Sequence, residues 1–113
     1  MSRPLLDEIR RRGWTPRLTA RFEREYSPTL QHRVALHMRR LGLIRARFDP
    51  NHAHVLTDRQ LELFQNAIST LWEELLDGLV HRYLEGVERG RIHQEFVPYV
   101  SGVIRRIVLH SAR

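Results

Sequence analysis

The sequence predicts an all-α fold, a compact bundle of four to five helices, and three observations predict it. No stretch alternates apolar and polar residues over a useful length, so strand signals are poor. Apolar residues recur three and four positions apart in several segments, the spacing of one helix face. The edges of those segments carry helix punctuation: capping residues at the start and glycine at the end.

Taken in order, residues 5–12 read as a short basic helix ended by Gly13. Thr15-Pro16 has the form of an N-cap and first-turn pair, opening a helix to about Tyr26. Ser27-Pro28 repeats that signature, which predicts a new helix over 28–41 with Gly42 as its stop. Its apolar positions are Leu30, Val34, Met38 and Leu41. Residues 44–56 read as a connector with Asp49-Pro50-Asn51 as turn chemistry.

Thr57 followed by Gln60 makes a capping box. A long helix is expected after it, with Leu61, Phe64, Ile68, Leu71, Trp72, Leu75, Leu79 and Tyr83 in one stripe. Gly78 and Gly86 weaken it, so a break is expected near one or the other, and Gly90 ends it. Pro98 sits in the first turn of a final helix to about Ala112, with Val100, Val103, Ile104, Ile107 and Val108 inward. These elements divide into a basic arm or short helix over 1–17 and a single helical domain over 18–113.

At 113 residues the chain suits one domain. With 42% apolar and 28% charged residues its composition is globular. Cysteine is absent, which excludes a disulfide framework, thiolate metal sites and a thiol nucleophile. No secretory signal and no apolar run long enough to span a membrane are visible, so a cytoplasmic protein is expected.

The net charge is +6, and every basic residue is arginine. Arginine presents a planar fork that suits phosphate and carboxylate, so the charge points to an anionic partner, nucleic acid being the commonest, with a solvated basic surface without a partner as an equal alternative. The final helix shows the clearest pattern. Arg105, Arg106, His110 and Arg113 lie on its polar side, and the last three share one face. A basic face on a core-packed helix suits phosphate contacts, although cations also favour a helix C-terminus.

Enzyme signatures are absent: no Gly-rich phosphate loop, nucleophile elbow or His-Glu-x-x-His. Asp77 with Glu85, and Glu73 with Glu74, read as solvated charge and not as an acid/base pair. His52, His54 and Asp49 are the only metal-like grouping, and the seven histidines read as scattered polar surface, so no metal or cofactor is expected. Trp72 and Tyr83 read as core anchors. Trp14 either helps the basic arm dock or staples the first helix.

Residues 63–73 read LFQNAISTLWE. They resemble the polymerase-binding helix of region two in bacterial sigma factors of the extracytoplasmic-function group. That helix has a leucine, a glutamine two positions on and a tryptophan seven after it; Leu63, Gln65 and Trp72 match, and Glu62 falls where an acidic residue is usual. Residues 96–113, FVPYVSGVIRRIVLHSAR, are similar to the family's next helix through Phe96, Tyr99, Ile104, Arg105, Ile107 and Leu109. Upstream, residues 22–43, FEREYSPTLQHRVALHMRRLGL, look like the first helix of the same region.

The resemblance covers about residues 18–113 and concerns region two without the family's minus-thirty-five-reading domain. It implies a sigma-factor-like transcription protein that docks on core RNA polymerase and contacts promoter DNA. By position, Glu62, Gln65, Asn66 and Glu73 would face polymerase, and Arg105 and Arg106 would sit near DNA. Arg106 and His110 stand where the family often has asparagine and aspartate. The alternative is a protein-interaction module or homodimeric accessory protein without DNA binding. It is suggested by Leu76, Val80, Leu84 and Val87, which lie off the first apolar stripe.

Overall fold

The computed structural model describes residues 3–44 and 56–112. Among them the chain is helical throughout, with no strand: α1 (Arg3–Arg12), α2 (Pro16–Arg40), α3 (Asp58–Glu74), a π-helical turn (Leu75–Leu79), α4 (Val80–Glu88) and α5 (Phe96–Ser111). Counting α3 and α4 as one kinked helix leaves four, so the expected all-helical bundle is found. The 44–56 connector, with the Asp49, His52 and His54 grouping, falls largely outside the described residues, as does Arg113.

The predicted caps are in place. Thr15 Oγ1 accepts from the Leu18 N–H at 3.2 Å, with Pro16 filling the first helical position, where a missing N–H costs nothing. The capping box is complete. Gln60 N–H donates to Thr57 Oγ1 at 3.2 Å, and Thr57 N–H donates to Gln60 Oε1 at 3.0 Å. Gln60 also donates from Nε2 to the Leu43 carbonyl at 3.3 Å, tying the start of α3 to the end of α2. At that end Gly42 (φ 75°) lets Leu43 N–H reach back to the Met38 carbonyl at 2.8 Å.

One boundary differs from expectation. The helix does not stop at Tyr26 and restart at Pro28; α2 runs 25 residues straight through the proline. Pro28 has no N–H to donate and is exposed, so the missing bond leaves the Arg24 carbonyl on the solvent side. The apolar face explains why the helix continues. Leu18, Phe22, Tyr26, Leu30, Val34 and Met38, all buried, recur every four residues across the proline. Burying that unbroken stripe outweighs one lost backbone bond.

The long second helix breaks at the first of the two expected glycines. Gly78 has φ 116°, a conformation that strains any side chain, and the backbone turns there through five π-helical residues. The turn redirects α4, so Val80 and Leu84 are fully buried. Their partners are on α1, whose Leu5, Leu6 and Ile9 are also buried, with α1 in contact with both α4 and α2. The stretch 1–17 therefore contributes its helix to the same core. Of the apolar face that suggested a partner helix, Val80 and Leu84 are covered from within the chain, Val87 partly so, and Leu76 stays exposed.

A line of aromatic rings joins four of the helices. Trp14 meets Phe22 edge-on at 5.1 Å and Trp72 at 6.3 Å. Phe22 stacks on Tyr26 at 4.7 Å, Tyr26 meets Phe96 at 5.3 Å, and Phe96 meets Tyr83 at 5.2 Å. Each such pair adds about 0.5–1.5 kcal/mol beyond its area burial. Trp14 and Trp72 are half-buried against the core. Trp14 is thus a staple across the turn from α1 to α2, and Trp72 a rim anchor. Tyr83 is buried, and its hydroxyl donates to the Gln94 carbonyl at 2.9 Å.

Candidate nucleic-acid interface

α5 positions the basic residues. It buries Phe96, Val100, Ser101, Ile104, Ile107 and Val108. The opposite strip, Gly102, Arg105, Arg106, Leu109 and His110, is exposed and lines a shallow open groove of about 410 Å³. The spacing of that strip, with gaps of three, one, three and one, is one helix face. Arg106 and His110 therefore share the expected face, with Arg105 beside them on the same groove.

Their surroundings differ. Arg106 leans toward α3, where Nη2 donates to Glu74 Oε1 at 2.7 Å. An exposed pair of this kind is worth no more than about 1 kcal/mol, so a phosphate can compete for the guanidinium. Arg105 makes no ion pair among the described residues.

α2 supplies basic residues that sequence reading passed over. α2 and α5 form the most extensive helix pair of the fold. His37 is buried in their seam, with its ring Nε2 2.8 Å from Ser101 Oγ. It is no scattered surface histidine: it lies three residues after Val34 on the apolar stripe of α2, a signal that was present in the sequence. His32, five positions earlier, is exposed. Burial holds the His37 pKa below the ordinary histidine value, and Arg40, Arg105 and Arg33 push it the same way, against a hydrogen bond with Ser101.

Arg33 and Arg40 of α2 flank His37 one turn before and one turn after, and Arg105 approaches from α5 one turn beyond Ser101. None of the three arginines has an ion-pair partner among the described residues. Neutral His37 keeps a fourth positive charge out of the seam. The arrangement offers three guanidinium forks across two helices, with Arg106 and His110 beside them. This suits a run of phosphates better than a single small anion.

The residues expected to face polymerase also share a surface. Glu62, Gln65, Asn66 and Glu73 are exposed on α3, with Ser69 exposed between them. They make no hydrogen bond or ion pair among the described residues. Leu63 is half-buried behind them. Among the described residues, no group of three or more metal-ligating side chains converges, and no helix is long and apolar enough to cross a membrane.

Compared with models of known families, with curated proteins and with solved structures, the chain matches none.

Proposed function

We propose that the protein is a sigma-region-two-like transcription protein. In this reading it binds nucleic-acid backbone on the α2–α5 seam and presents the exposed face of α3 to core RNA polymerase. The observation that carries the reading is the unpaired arginine cluster. Arg33 and Arg40 lie one turn either side of His37 on α2, and Arg105 one turn beyond its hydrogen-bond partner Ser101 on α5, on a chain of net charge +6, with no carboxylate paired to any of them among the described residues. A concentrated set of guanidiniums without paired carboxylates raises the local potential for anions. A promoter-directed role would place the protein in the cytoplasm.

The polar face of α3 supports the second half of the proposal by its chemistry. Glu62, Gln65, Asn66 and Glu73 offer carboxylate and amide groups to a protein surface, with Arg59 the one cation one turn before Glu62. The interaction-module alternative keeps Leu76, which is exposed, while Val80 and Leu84 are buried in α4, the helix that α1 packs against. Among the described residues, only Leu76 and Leu109 remain as large exposed apolar side chains.

The test is fluorescence anisotropy with labelled single- and double-stranded DNA over a range of salt. Arg40→Ala with Arg105→Ala should weaken binding and lower the salt slope by about one unit per lost phosphate contact. Unchanged affinity and slope would remove the seam from the reading. In a pull-down against bacterial core polymerase, Glu62→Ala with Gln65→Ala should reduce capture without changing DNA affinity. Equal capture by both forms would reject the α3 face.

A further inference from the structure

The connection from α4 to α5 folds over a second groove, of about 450 Å³, that the nucleic-acid reading does not use. Three arginines line it, Arg82, Arg89 and Arg91, together with Ile92 and Tyr99. Glu85, also in the wall, is taken up by Arg89 at 2.8 Å. The guanidiniums of Arg82 and Arg91 therefore have no ion-pair partner among the described residues.

The walls are held in place. Arg91 and Ile92 both donate their backbone N–H groups to the Gly86 carbonyl, at 2.8 and 3.1 Å. That close return is open only to glycine at position 86, because a Cβ there would collide with the Ile92 side chain. Tyr99 is braced by Tyr83 at a ring distance of 5.2 Å, and Tyr83 is itself fixed to the Gln94 carbonyl. The result is an open groove with an apolar wall, made by Ile92 and the Tyr99 ring, and with Arg82 and Arg91 also in its lining. Its volume falls within the range of small-molecule sites.

We propose that this groove binds a small organic phosphate carrying a planar ring, of the mononucleotide class. Arg82 and Arg91 receive the phosphate, since a guanidinium fork matches its oxygens and neither has an ion-pair partner among the described residues. The half-buried face of Tyr99 and the side of Ile92 receive the ring. The site is distinct from the α2–α5 seam. Tyr99 and Arg105 are six residues apart on α5, about 240° around its axis, so the two surfaces open in different directions.

The experiment is titration calorimetry of the full chain at low salt with AMP, ribose 5-phosphate and inorganic phosphate. The expected result is saturable AMP binding, at least tenfold tighter than that of either ring-free phosphate. Arg82→Ala with Arg91→Ala should weaken AMP at least tenfold and leave DNA affinity intact. Arg40→Ala with Arg105→Ala should do the reverse. Tyr99→Leu should reduce AMP to the level of ribose 5-phosphate, and Tyr99→Phe should preserve it, with circular dichroism confirming that both variants fold. Three outcomes overturn the proposal: no saturable heat with AMP, equal affinity for AMP and ribose 5-phosphate, or equal loss in the two arginine pairs. None of them depends on whether the seam binds nucleic acid.

Discussion

His37 shows how one side chain couples stability to pH in this fold. Its pKa is lowered by burial and by Arg40, Arg105 and Arg33, so charging it costs more in the folded chain than in the unfolded one. Its contribution to stability is therefore full above the ordinary histidine value of about 6.5 and is lost as pH falls through the lowered folded value. Urea midpoints measured at pH 7.5 and 5.5 should drop on acidification, and His37→Gln should flatten that drop. A variant as pH-sensitive as the parent would move the effect to other histidines. Ser101→Ala should cost about 1–3 kcal/mol, because it leaves a buried ring nitrogen without its partner. Arg105 is the opposite kind of residue: it is exposed and unpaired among the described residues, so its loss should cost little stability and appear in binding alone.

Two glycines at the scale of the element should respond to alanine with opposite signs. Gly78 holds φ 116° in the turn between α3 and α4, where a side chain is strained by about 1–3 kcal/mol. Gly102 lies in ordinary α5 backbone with nothing within 4 Å of the position its Cβ would take. Gly78→Ala should therefore destabilise the protein, and Gly102→Ala should stabilise it by about 0.5–1 kcal/mol, both read from chemical denaturation. Two losses, or two gains, would contradict the kinked geometry. Pro28 is the element-scale counterpart of a misleading signal. Its Ser-Pro pair has the form of a helix start, yet the buried stripe from Leu18 to Met38 carries α2 past it. Local punctuation competes with burial, and over 25 residues burial wins.

For the whole molecule, α1 is the element that closes the core. It covers Val80 and Leu84 and is pinned outside by the Arg10–Glu88 ion pair. A chain lacking residues 1–13 should expose a contiguous apolar face from α4, lose cooperative thermal unfolding and self-associate in analytical ultracentrifugation. A monomeric, cooperatively folding truncated chain would show that α1 is an accessory arm. The same closure accounts for the placement of the charges. With the apolar faces of all the helices turned inward, the arginines are left outside on the α2–α5 seam and around the α4–α5 groove.

Much of this was legible in the sequence. The helical class, the Thr15 and Thr57 caps, the stops at Gly13, Gly42 and Gly90, and the shared face of Arg106 and His110 follow from spacing and local backbone chemistry. These act within one or two turns of chain, so the order of residues carries them. Other features were decided only by the tertiary structure. Arg33 and Arg40 join Arg105 because α2 and α5 pack side by side, and His37 becomes a buried titrating group because Ser101 lies opposite it. Arg82, Arg91 and Tyr99 meet because Gly86 lets the chain fold back on itself. Each of these juxtapositions joins residues from different elements, and their distances are set by how the apolar faces pack, which no periodicity within a single helix encodes.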